Sequence, residues 1–324
     1  MLEHIVVSNV MTHFENHNIL VDCQHGFRPK RSCESQLLSL THELHESLEN
    51  NEQIDMIVLD FSKAFDKVPH HRLMKKLWNY GIRGNTHAWI SSFLMDRRQR
   101  VVVDGEASDW VRVDSGVPQG TVLGPVLFLA FINDLPSAVN ANVRLFADDC
   151  VLYRPTKSQE DCSLLQQDLA NLEQWENKWC MSFNAAKCNA ITITRKRQKI
   201  VNDYKLHNQT LERVSSATYL GVELSSDLTW STHINKTCSK ANKHLAFIRR
   251  NLRINNRTIK ETAYKALVRP VPEYCAPVWD PHHKKYTQKL EMVQRRAARF
   301  TLNRYHNTST VTNMLSSLQW EPLQ

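Results

Sequence analysis

The sequence predicts an α+β region over residues 1–230, followed by an all-helical and basic region over residues 231–324. Apolar runs rich in β-branched residues alternate with helical patterns up to about residue 230. Beyond that point, apolar residues recur only at helical spacings of three and four. Charge changes at the same place: residues 232–324 hold 17 Lys or Arg against five Asp or Glu, a net charge of +12, whereas residues 1–231 carry −4. Two patterns that change together mark a boundary between regions.

The first elements follow from local patterns. Ser32 is a suitable N-cap for a helix with one apolar side, formed by Leu37, Leu40, Leu44 and Leu48. The run IDMIVLDF (54–61) is continuously apolar and ends in an acid, so it predicts a buried strand. A helix over residues 67–81 closes at Gly81. RVVVDGEASDWVRV (100–113) predicts a hairpin around Asp104-Gly105.

Further elements complete the pattern. GVPQGTVLGPVLFLAFINDL (116–135) begins as a turn and continues as an apolar helix, and residues 163–180 predict an amphipathic helix. NVRLFADDCVLY (142–153) predicts a hairpin, and NAITIT (189–194) and YLGVEL (219–224) predict strands. The basic region predicts two helices with apolar stripes at Ile234, Cys238, Ala241, Leu245, Ile248 and Leu252, and at Tyr286, Leu290, Val293, Ala297 and Phe300.

Composition narrows the class of protein. The longest strongly apolar run, VLFLAFI (126–132), is far shorter than the ~20 residues of a membrane span. The N-terminal residues lack a basic segment before an apolar one, so we expect neither a signal peptide nor a membrane partner. The eight cysteines form no CxxC pair, which favours free thiols in a reducing compartment over a zinc site.

Three acids stand out chemically. Asp60 ends the buried strand, and Asp148 and Asp149 lie at the predicted hairpin turn. An ionised carboxylate beside a buried strand is unfavourable unless it is paired or metal-bound. If the strands are neighbours, these acids could hold two Mg²⁺ ions for an in-line displacement at phosphorus. Each motif alone is weak, because Asp-Asp also forms ordinary turns and Asp60 could be an ordinary strand end.

Six stretches occur in a fixed order along the chain. They are QHGFRPKRSCESQL (24–37), VLDFSKAFDKVPHHRL (58–73), SGVPQGTVLGPVLFLAFINDLP (115–136), LFADDCVLY (145–153), WCMSFNAAKC (179–188) and YLGVELSSDLTW (219–230). Together they resemble the reverse transcriptase motifs of non-LTR retrotransposons, most closely those of Jockey and CR1-like elements. VRPVPEYCAPVWDPHHKKYTQKLEMVQRRAARF (268–300) resembles the region that follows the polymerase core in these elements.

The resemblance implies a right-hand polymerase, with partial fingers and palm over 1–230 and a helical basic thumb or connection region over 231–324. It implies an RNA-directed DNA polymerase that adds deoxynucleotides to a primer 3′-hydroxyl by two-metal nucleotidyl transfer, as part of a longer retrotransposon protein. The expected partners are an RNA template, a DNA primer and deoxynucleoside triphosphates, with two Mg²⁺ ions or Mn²⁺ in their place. The family's target site implies an intracellular, nuclear location, and the oligomeric state stays open.

Catalytic roles are implied for particular residues. Asp60, Asp148 and Asp149 match the catalytic, metal-binding acids, and the Phe61 carbonyl would complete the coordination. Lys187 matches the acid that protonates the departing pyrophosphate, although it could equally be a surface lysine.

Substrate-binding roles are implied as well. Phe65 matches the ring that excludes a 2′-hydroxyl, Gln119 the glutamine of the nucleotide pocket, and Arg28 the arginine that grips the triphosphate. A core aromatic is the alternative for Phe65. The primer end would rest on Tyr219, Leu220 and Gly221. The nucleic-acid backbone would be contacted by Arg295, Arg296 and Arg299, where a solvated basic face is the alternative.

The sequence also departs from this family. A fingers segment with a motif like NYRPISL and an upstream endonuclease are expected in these elements and are missing here. Pro272 stands where the family usually has leucine, which predicts a broken or kinked helix. Two alternatives stay open: an RNA-dependent RNA polymerase, which Phe65 disfavours, and a catalytically dead, truncated relic that only binds nucleic acid.

Overall fold

The computed structural model describes residues 1–306 and 310–323. The chain divides into two compact units, Met1–Leu220 and Gly221–Gln324. This division lies ten residues before the boundary expected from the sequence patterns, and each unit is described by itself.

Helices of the first unit are α1 (Leu2–Asn16), α2 (Cys33–Glu49), α3 (His70–Asn79), α4 (Gly84–Leu94), α5 (Leu123–Ile132) and α6 (Gln159–Trp179), with a 3₁₀ turn at Pro136–Ala138. Its strands are β1 (Gln53–Leu59), β2 (Arg98–Gln99), β3 (Val102–Val103), β4 (Glu106–Ala107), β5 (Val111–Arg112), β6 (Asn142–Phe146), β7 (Asp149–Thr156), β8 (Asn189–Ile193), β9 (Lys205–Leu206), β10 (Gln209–Thr210), β11 (Glu212–Val214) and β12 (Ser216–Tyr219).

A five-stranded sheet in the order β11-β8-β1-β7-β6 organises this unit. The central β1 pairs antiparallel with β7 on one side and with β8 on the other, and its burial on both faces explains why most of its residues are apolar. Helix α2 packs against β1 and β6, and α6 packs against β7. The predicted strand at 54–61 and the predicted hairpin at 142–153 are confirmed.

One buried acid in β1 escaped the sequence analysis. Asp55 is only 1% exposed and accepts hydrogen bonds from Tyr204 Oη at 2.6 Å, Thr192 Oγ1 at 2.8 Å and Gln53 Nε2 at 3.1 Å. Three donors replace the water that burial removes, so the polar group can sit inside the sheet. A mostly apolar strand therefore contains a buried hydrogen-bonded group that joins β1, β8 and the segment before β9.

The predicted helices form for the expected reasons. Ser32 caps α2 in a capping box with Ser35, and the four leucines at 37, 40, 44 and 48 are buried. The apolar helix α5 is buried on all sides. Asp104 and Gly105 both adopt positive φ at the tip of the β3–β4 hairpin, the backbone form that a two-residue hairpin turn requires.

The second unit contains β13 (Val222–Ser225), α7 (Ser231–Asn251), α8 (Arg257–Leu267), α9 (Pro270–Glu273), α10 (Ala276–Trp279), α11 (Lys284–Leu302) and α12 (Val311–Leu318). The two predicted helical stripes are confirmed by α7 and α11, which pack against each other. Pro270 begins the single turn α9 and Pro272 lies within it. The helical path is therefore broken where the sequence predicted a break.

The prediction of one strand over YLGVEL was wrong. β12 ends at Tyr219 and β13 begins at Val222, and Leu220 and Gly221 between them adopt positive φ values of 47° and 77°. Left-handed backbone at two successive residues reverses the chain, which an extended strand cannot do. In residues 1–306 and 310–323, no helix is long and apolar enough to cross a membrane.

A buried histidine in the second unit predicts acid sensitivity. His233 is 6% exposed, accepts the Glu223 N–H at Nδ1 over 3.2 Å, and lies beside the Trp279 ring. Burial lowers its pKa to about 4 from an ordinary 6.5; Glu223 opposes this effect and Lys236 adds to it.

The unfolded chain therefore binds a proton that the folded chain does not, so stability should fall as pH drops from 6.5 towards 4. The loss from this residue should approach roughly 3 kcal/mol at pH 4. Urea unfolding at pH 7 and pH 4.5 checks this, with His233→Gln as the control that removes the titration. Equal pH dependence in both proteins would contradict the prediction.

Candidate active site

Sheet pairing brings the three predicted acids to one edge. Leu59 of β1 pairs with Cys150 of β7, so one further step in this antiparallel register sets Asp60 opposite Asp149. Asp148 precedes Asp149 in the turn of the β6–β7 hairpin, where Phe146 pairs with Asp149. Residues almost 90 positions apart in the sequence thus become neighbours, because β1 and β7 are adjacent strands.

The electrostatics of this cluster reflect crowded negative charge. The Asp149 side chain keeps an exposed surface, but the surrounding protein removes part of its water. This desolvation, together with the charges of Asp148 and Asp60, raises its pKa to about 6. Desolvation also raises the pKa of Asp148, with Asp60 contributing. Asp60 is therefore close enough to Asp148 and Asp149 for its charge to disfavour their ionisation.

Crowded carboxylates of this kind fit a divalent cation. Mg²⁺ and Mn²⁺ prefer oxygen ligands, and a cation would offset the repulsion that raises the pKa of Asp149. Within residues 1–306 and 310–323, no three His, Cys, Asp or Glu side chains already enclose a metal-sized position. Asp60, Asp148 and Asp149 are the residues that would hold such an ion.

The backbone at Phe61 faces this cluster. Phe61 forms an isolated bridge with Phe183, in which Asn184 N donates to Asp60 O at 2.7 Å and Ser62 N donates to Ser182 O at 2.8 Å. In an antiparallel pair of this type, the N–H and C=O of the central residue point away from the partner strand. The Phe61 carbonyl is therefore directed to the side on which β7 lies.

The predicted lysine lies beside the first acid. Lys187 Nζ is 3.5 Å from Asp60 Oδ2, and both side chains are substantially exposed. The loop carrying Lys187 is held in place by the bond from Asn184 N to Asp60 O and by Asp60 N, which donates to Cys188 Sγ at 3.4 Å. Backbone contacts thus place this lysine near the acids without a strong ion pair.

The segments that carry Phe65 and Gln119 are bonded to each other. Val117 N donates to Phe65 O at 2.8 Å, which fixes the VPQG segment against the chain after Asp60. The half-buried Phe65 ring stacks on Phe128 with centroids 4.4 Å apart, and exposed Gln119 donates from Nε2 to Asp66 Oδ1 at 2.9 Å. The packing alternative for Phe65 is thus present, and its role in sugar selection stays a prediction.

Arg28 forms an ion pair within the protein. Its side chain is only 6% exposed and forms a two-point ion pair with Glu15, through Nε at 3.0 Å and Nη2 at 2.8 Å, while Nη1 donates to Val21 O. This conformation uses the guanidinium to fasten the end of α1 to the chain before α2. The predicted grip on a triphosphate would require Arg28 to leave Glu15.

The remaining predicted residues lie elsewhere. Tyr219 is buried, and its hydroxyl accepts from Gln36 Nε2 at 3.3 Å, while Leu220 and Gly221 form the turn at the division between units. On α11, Arg295 and Arg296 are exposed and Arg299 is half-buried. Arg296 also donates to Asn242 Oδ1 at 2.9 Å. The primer and backbone roles of these residues stay predictions.

Gln24 is a functional candidate that the sequence analysis missed. It is 2% exposed, and its Oε1 accepts from Gly26 N at 2.7 Å and from Ala147 N at 2.9 Å. Ala147 has a positive φ of 53° and directly precedes Asp148. A Cβ on Gly26 would lie 2.3 Å from Ala147 N, so glycine is required for this approach. The only sequence signal was the position of Gln24 in QHGFRP.

A sheet that carries three acids at one edge has the architecture of a polymerase palm. The structure is similar to that of apo telomerase from Candida Tropicalis, with a TM-score of 0.52 and 11% identity, covering 98% of this chain and 58% of that one. The predicted polymerase fold is therefore confirmed in its general architecture.

A family model described as reverse transcriptase (RNA-dependent DNA polymerase) matches residues 1–224, and the chain belongs to this family. The RNA-directed DNA polymerase from mobile element jockey of Drosophila funebris is 30% identical over 316 residues, covering 92% of this chain and 34% of that protein. The probable RNA-directed DNA polymerase from transposon X-element of Drosophila melanogaster is 27% identical over 311 residues, with the same coverage.

These relatives confirm the predicted kinship with non-LTR retrotransposon reverse transcriptases. The chain spans about a third of the length of both relatives.

The Gln24 contacts predict a measurable cost. Gln24→Leu places an apolar side chain of similar size in the buried position and leaves the amides of Gly26 and Ala147 without their acceptor. Each buried, unsatisfied donor costs about 1–3 kcal/mol, so the free energy of unfolding should fall by at least roughly that amount. Urea denaturation measures it, and Gln119→Leu, which removes one exposed hydrogen bond, is the matched control. A loss no larger than that of the control would show that Gln24 does not hold the turn.

Proposed function

We propose that this chain is the polymerase part of a retrotransposon protein and extends a DNA primer on an RNA template with deoxynucleoside triphosphates. The observation that carries the proposal is the meeting of Asp60, Asp148 and Asp149 at the end of two adjacent strands. Membership of the reverse transcriptase family supports the same reaction.

In this proposal the three carboxylates and the Phe61 carbonyl hold two divalent cations, with Mg²⁺ as the physiological ion and Mn²⁺ as a substitute. The cations would activate the primer 3′-hydroxyl and stabilise charge on the leaving pyrophosphate. The chain's own residues position the reactants. Loss of hydration, and then the charges of the neighbouring acids, raise the pKa of Asp149 to about 6, and a bound cation would displace protons from the site.

Lys187 is proposed to supply a proton to the departing pyrophosphate. Its ammonium lies 3.5 Å from Asp60, so a donor is available within a few ångströms of the reacting groups. Its exposed side chain is free to turn towards the leaving group.

The basic helical unit is proposed as the thumb. Arg295 and Arg296 project from α11 into solvent, and the region from residue 232 onward carries a net charge of +12. Contacts of this kind neutralise phosphates and do not distinguish bases, so binding would be sensitive to salt and weakly sequence-specific.

Asp148→Asn tests the reaction directly. The amide keeps the size of the side chain but removes a negative oxygen ligand, so primer extension with an RNA template and Mg²⁺ should fall to background. Template–primer affinity, measured by fluorescence anisotropy, should change less than about threefold, because Asp148 contacts metal and not the nucleic-acid backbone.

Glu106→Gln, an equivalent neutralisation on the distant exposed hairpin, serves as the control. Full extension activity in Asp148→Asn would overturn the proposed mechanism. Loss of activity in the control as well would point to non-specific damage.

Phe65→Val tests sugar selection. The Phe65 backbone is bonded to the segment that carries Gln119, and a smaller residue at position 65 would leave space for a 2′-hydroxyl. The ratio of ribonucleotide to deoxynucleotide incorporation should rise by about tenfold or more, the effect of about 1.4 kcal/mol of lost discrimination. Single-nucleotide extension with matched ATP and dATP measures the ratio.

Phe128→Leu alters the stacking partner of Phe65 but keeps the Phe65 ring, so it controls for loose packing. An equal change of the ratio in both variants would assign Phe65 to the core and not to sugar selection.

A further inference from the structure

The hairpin over residues 98–112 is an exposed surface to which the sequence resemblance assigns no role. Every residue from Arg98 to Arg112 is exposed, and Val101, Val102, Val103, Trp110 and Val111 are each 58–66% exposed. Exposed apolar side chains in this density mark interaction sites more often than ordinary surface.

The pairing separates two chemically different faces. Arg98 pairs with Arg112 and Val102 pairs with Ala107, and partners across a strand pair share a face. Trp110 lies two residues before Arg112, which places it on the same face, and the Arg100 guanidinium lies 4.7 Å from its ring centroid. We call this the arginine–tryptophan face: Arg98, Arg100, Trp110 and Arg112.

The acid at the hairpin tip belongs to the other strand pair. Gln99 pairs with Val111, so within β2–β5 these two side chains project away from Arg98 and Arg112. Glu106 pairs with Val103 in β3–β4, a separate two-stranded sheet, and forms no ion pair with Arg98 or Arg100 among residues 1–306 and 310–323.

Two of the arginines lack a carboxylate. Arg112 is paired with Asp114 at 2.8 Å and lies 3.7 Å from Asp96. Across residues 1–306 and 310–323, by contrast, no carboxylate oxygen lies within 4.0 Å of the Arg98 or Arg100 guanidinium. Placing Arg98 directly across from Arg112 is unfavourable in an isolated sheet, and an anion between the strands would relieve it.

We propose that the arginine–tryptophan face binds single-stranded nucleic acid, with bases stacked on Trp110 and phosphates on Arg98 and Arg100. Aromatic rings beside uncompensated cations are the elements that single-strand binding surfaces combine, and stacking accepts any base. A surface for a protein partner would need only the apolar side chains. It would not account for two guanidinium groups that have no carboxylate partner.

The hairpin base connects this face to the candidate site. Arg97, Gln99 and Arg112 line a cleft of about 700 Å³ together with Lys63 and Gln119. A strand that passes Gln119 would thus meet the arginine–tryptophan face within the same unit. This inference deepens the proposed function by naming a surface for a strand outside the pocket, and it rests on that function only for the identity of the strand.

The test is binding without synthesis. A fluorescein-labelled 12-nucleotide strand of mixed sequence is titrated with the full chain and followed by anisotropy at several salt concentrations, as RNA and as DNA. Trp110→Ala should weaken binding at least about fivefold, as expected for one lost stacking contact, and Trp110→Phe should restore most of it. Arg98→Ala with Arg100→Ala should reduce the slope of log K against log salt by about 1.4.

Glu106→Gln, in the separate β3–β4 strand pair of the same hairpin, is the matched control and should match the wild type or bind slightly tighter. Equal affinity in wild type and Trp110→Ala would overturn the inference, as would duplex bound with the same dependence on Trp110. Self-association that Trp110→Ala abolishes, with affinity for the strand unchanged, would instead assign the face to a second copy.

The RNA and DNA arms identify the strand: preference for RNA assigns the face to the template, and equal binding assigns it to single strands in general. Binding that depends on Trp110 in a protein without extension activity would uphold this inference and reject the proposed polymerase. Intact extension together with binding that does not depend on Trp110 would reject this inference and uphold the proposed polymerase.

Discussion

The antiparallel pairing of β1 with β7 is the constraint on which the candidate site depends. Its register sets Asp60 opposite the Asp148-Asp149 turn, and a slip by one residue would turn each side chain to the other face of the sheet. The pairing is fixed because β1 is buried on both faces and lies between β7 and β8. Core packing thus holds together three carboxylates that repel one another.

Holding like charges in place requires support from outside the sheet. Gln24 and Gly26 secure the backbone of Ala147 at the hairpin, and the loop from Asn184 to Cys188 secures the backbone of Asp60. Both supports act on main-chain atoms and leave the carboxyl groups free. The acids can therefore adjust to a ligand while their positions along the chain stay fixed, which is the arrangement that catalytic groups need.

The sequence predicted features that arise from local or periodic patterns. The leucine side of α2, the buried strand before Asp60 and the Asp104-Gly105 turn each depend on neighbouring residues, and each was confirmed. YLGVEL was misread because its apolar residues match a strand, whereas Leu220 adopts left-handed backbone that propensity does not foresee. Gln24 and Asp55 were missed because the partners that join them to distant segments, Ala147, Thr192 and Tyr204, lie more than 100 residues away along the chain.

Arg28 shows how a residue matched by motif can be placed by a different interaction. Glu15 lies on α1, a helix that no sequence motif predicted. The ion pair with Glu15 buries the guanidinium that the resemblance predicts to bind a triphosphate. Glu15 accepts hydrogen bonds from Arg28 through both oxygens, and two oxygens of a tetrahedral phosphate could accept the same pair of bonds. Nucleotide binding through Arg28 would then release the end of α1 from this contact. The ion pair and the predicted grip would therefore exclude each other, and this exchange would link the N-terminal helix to nucleotide binding.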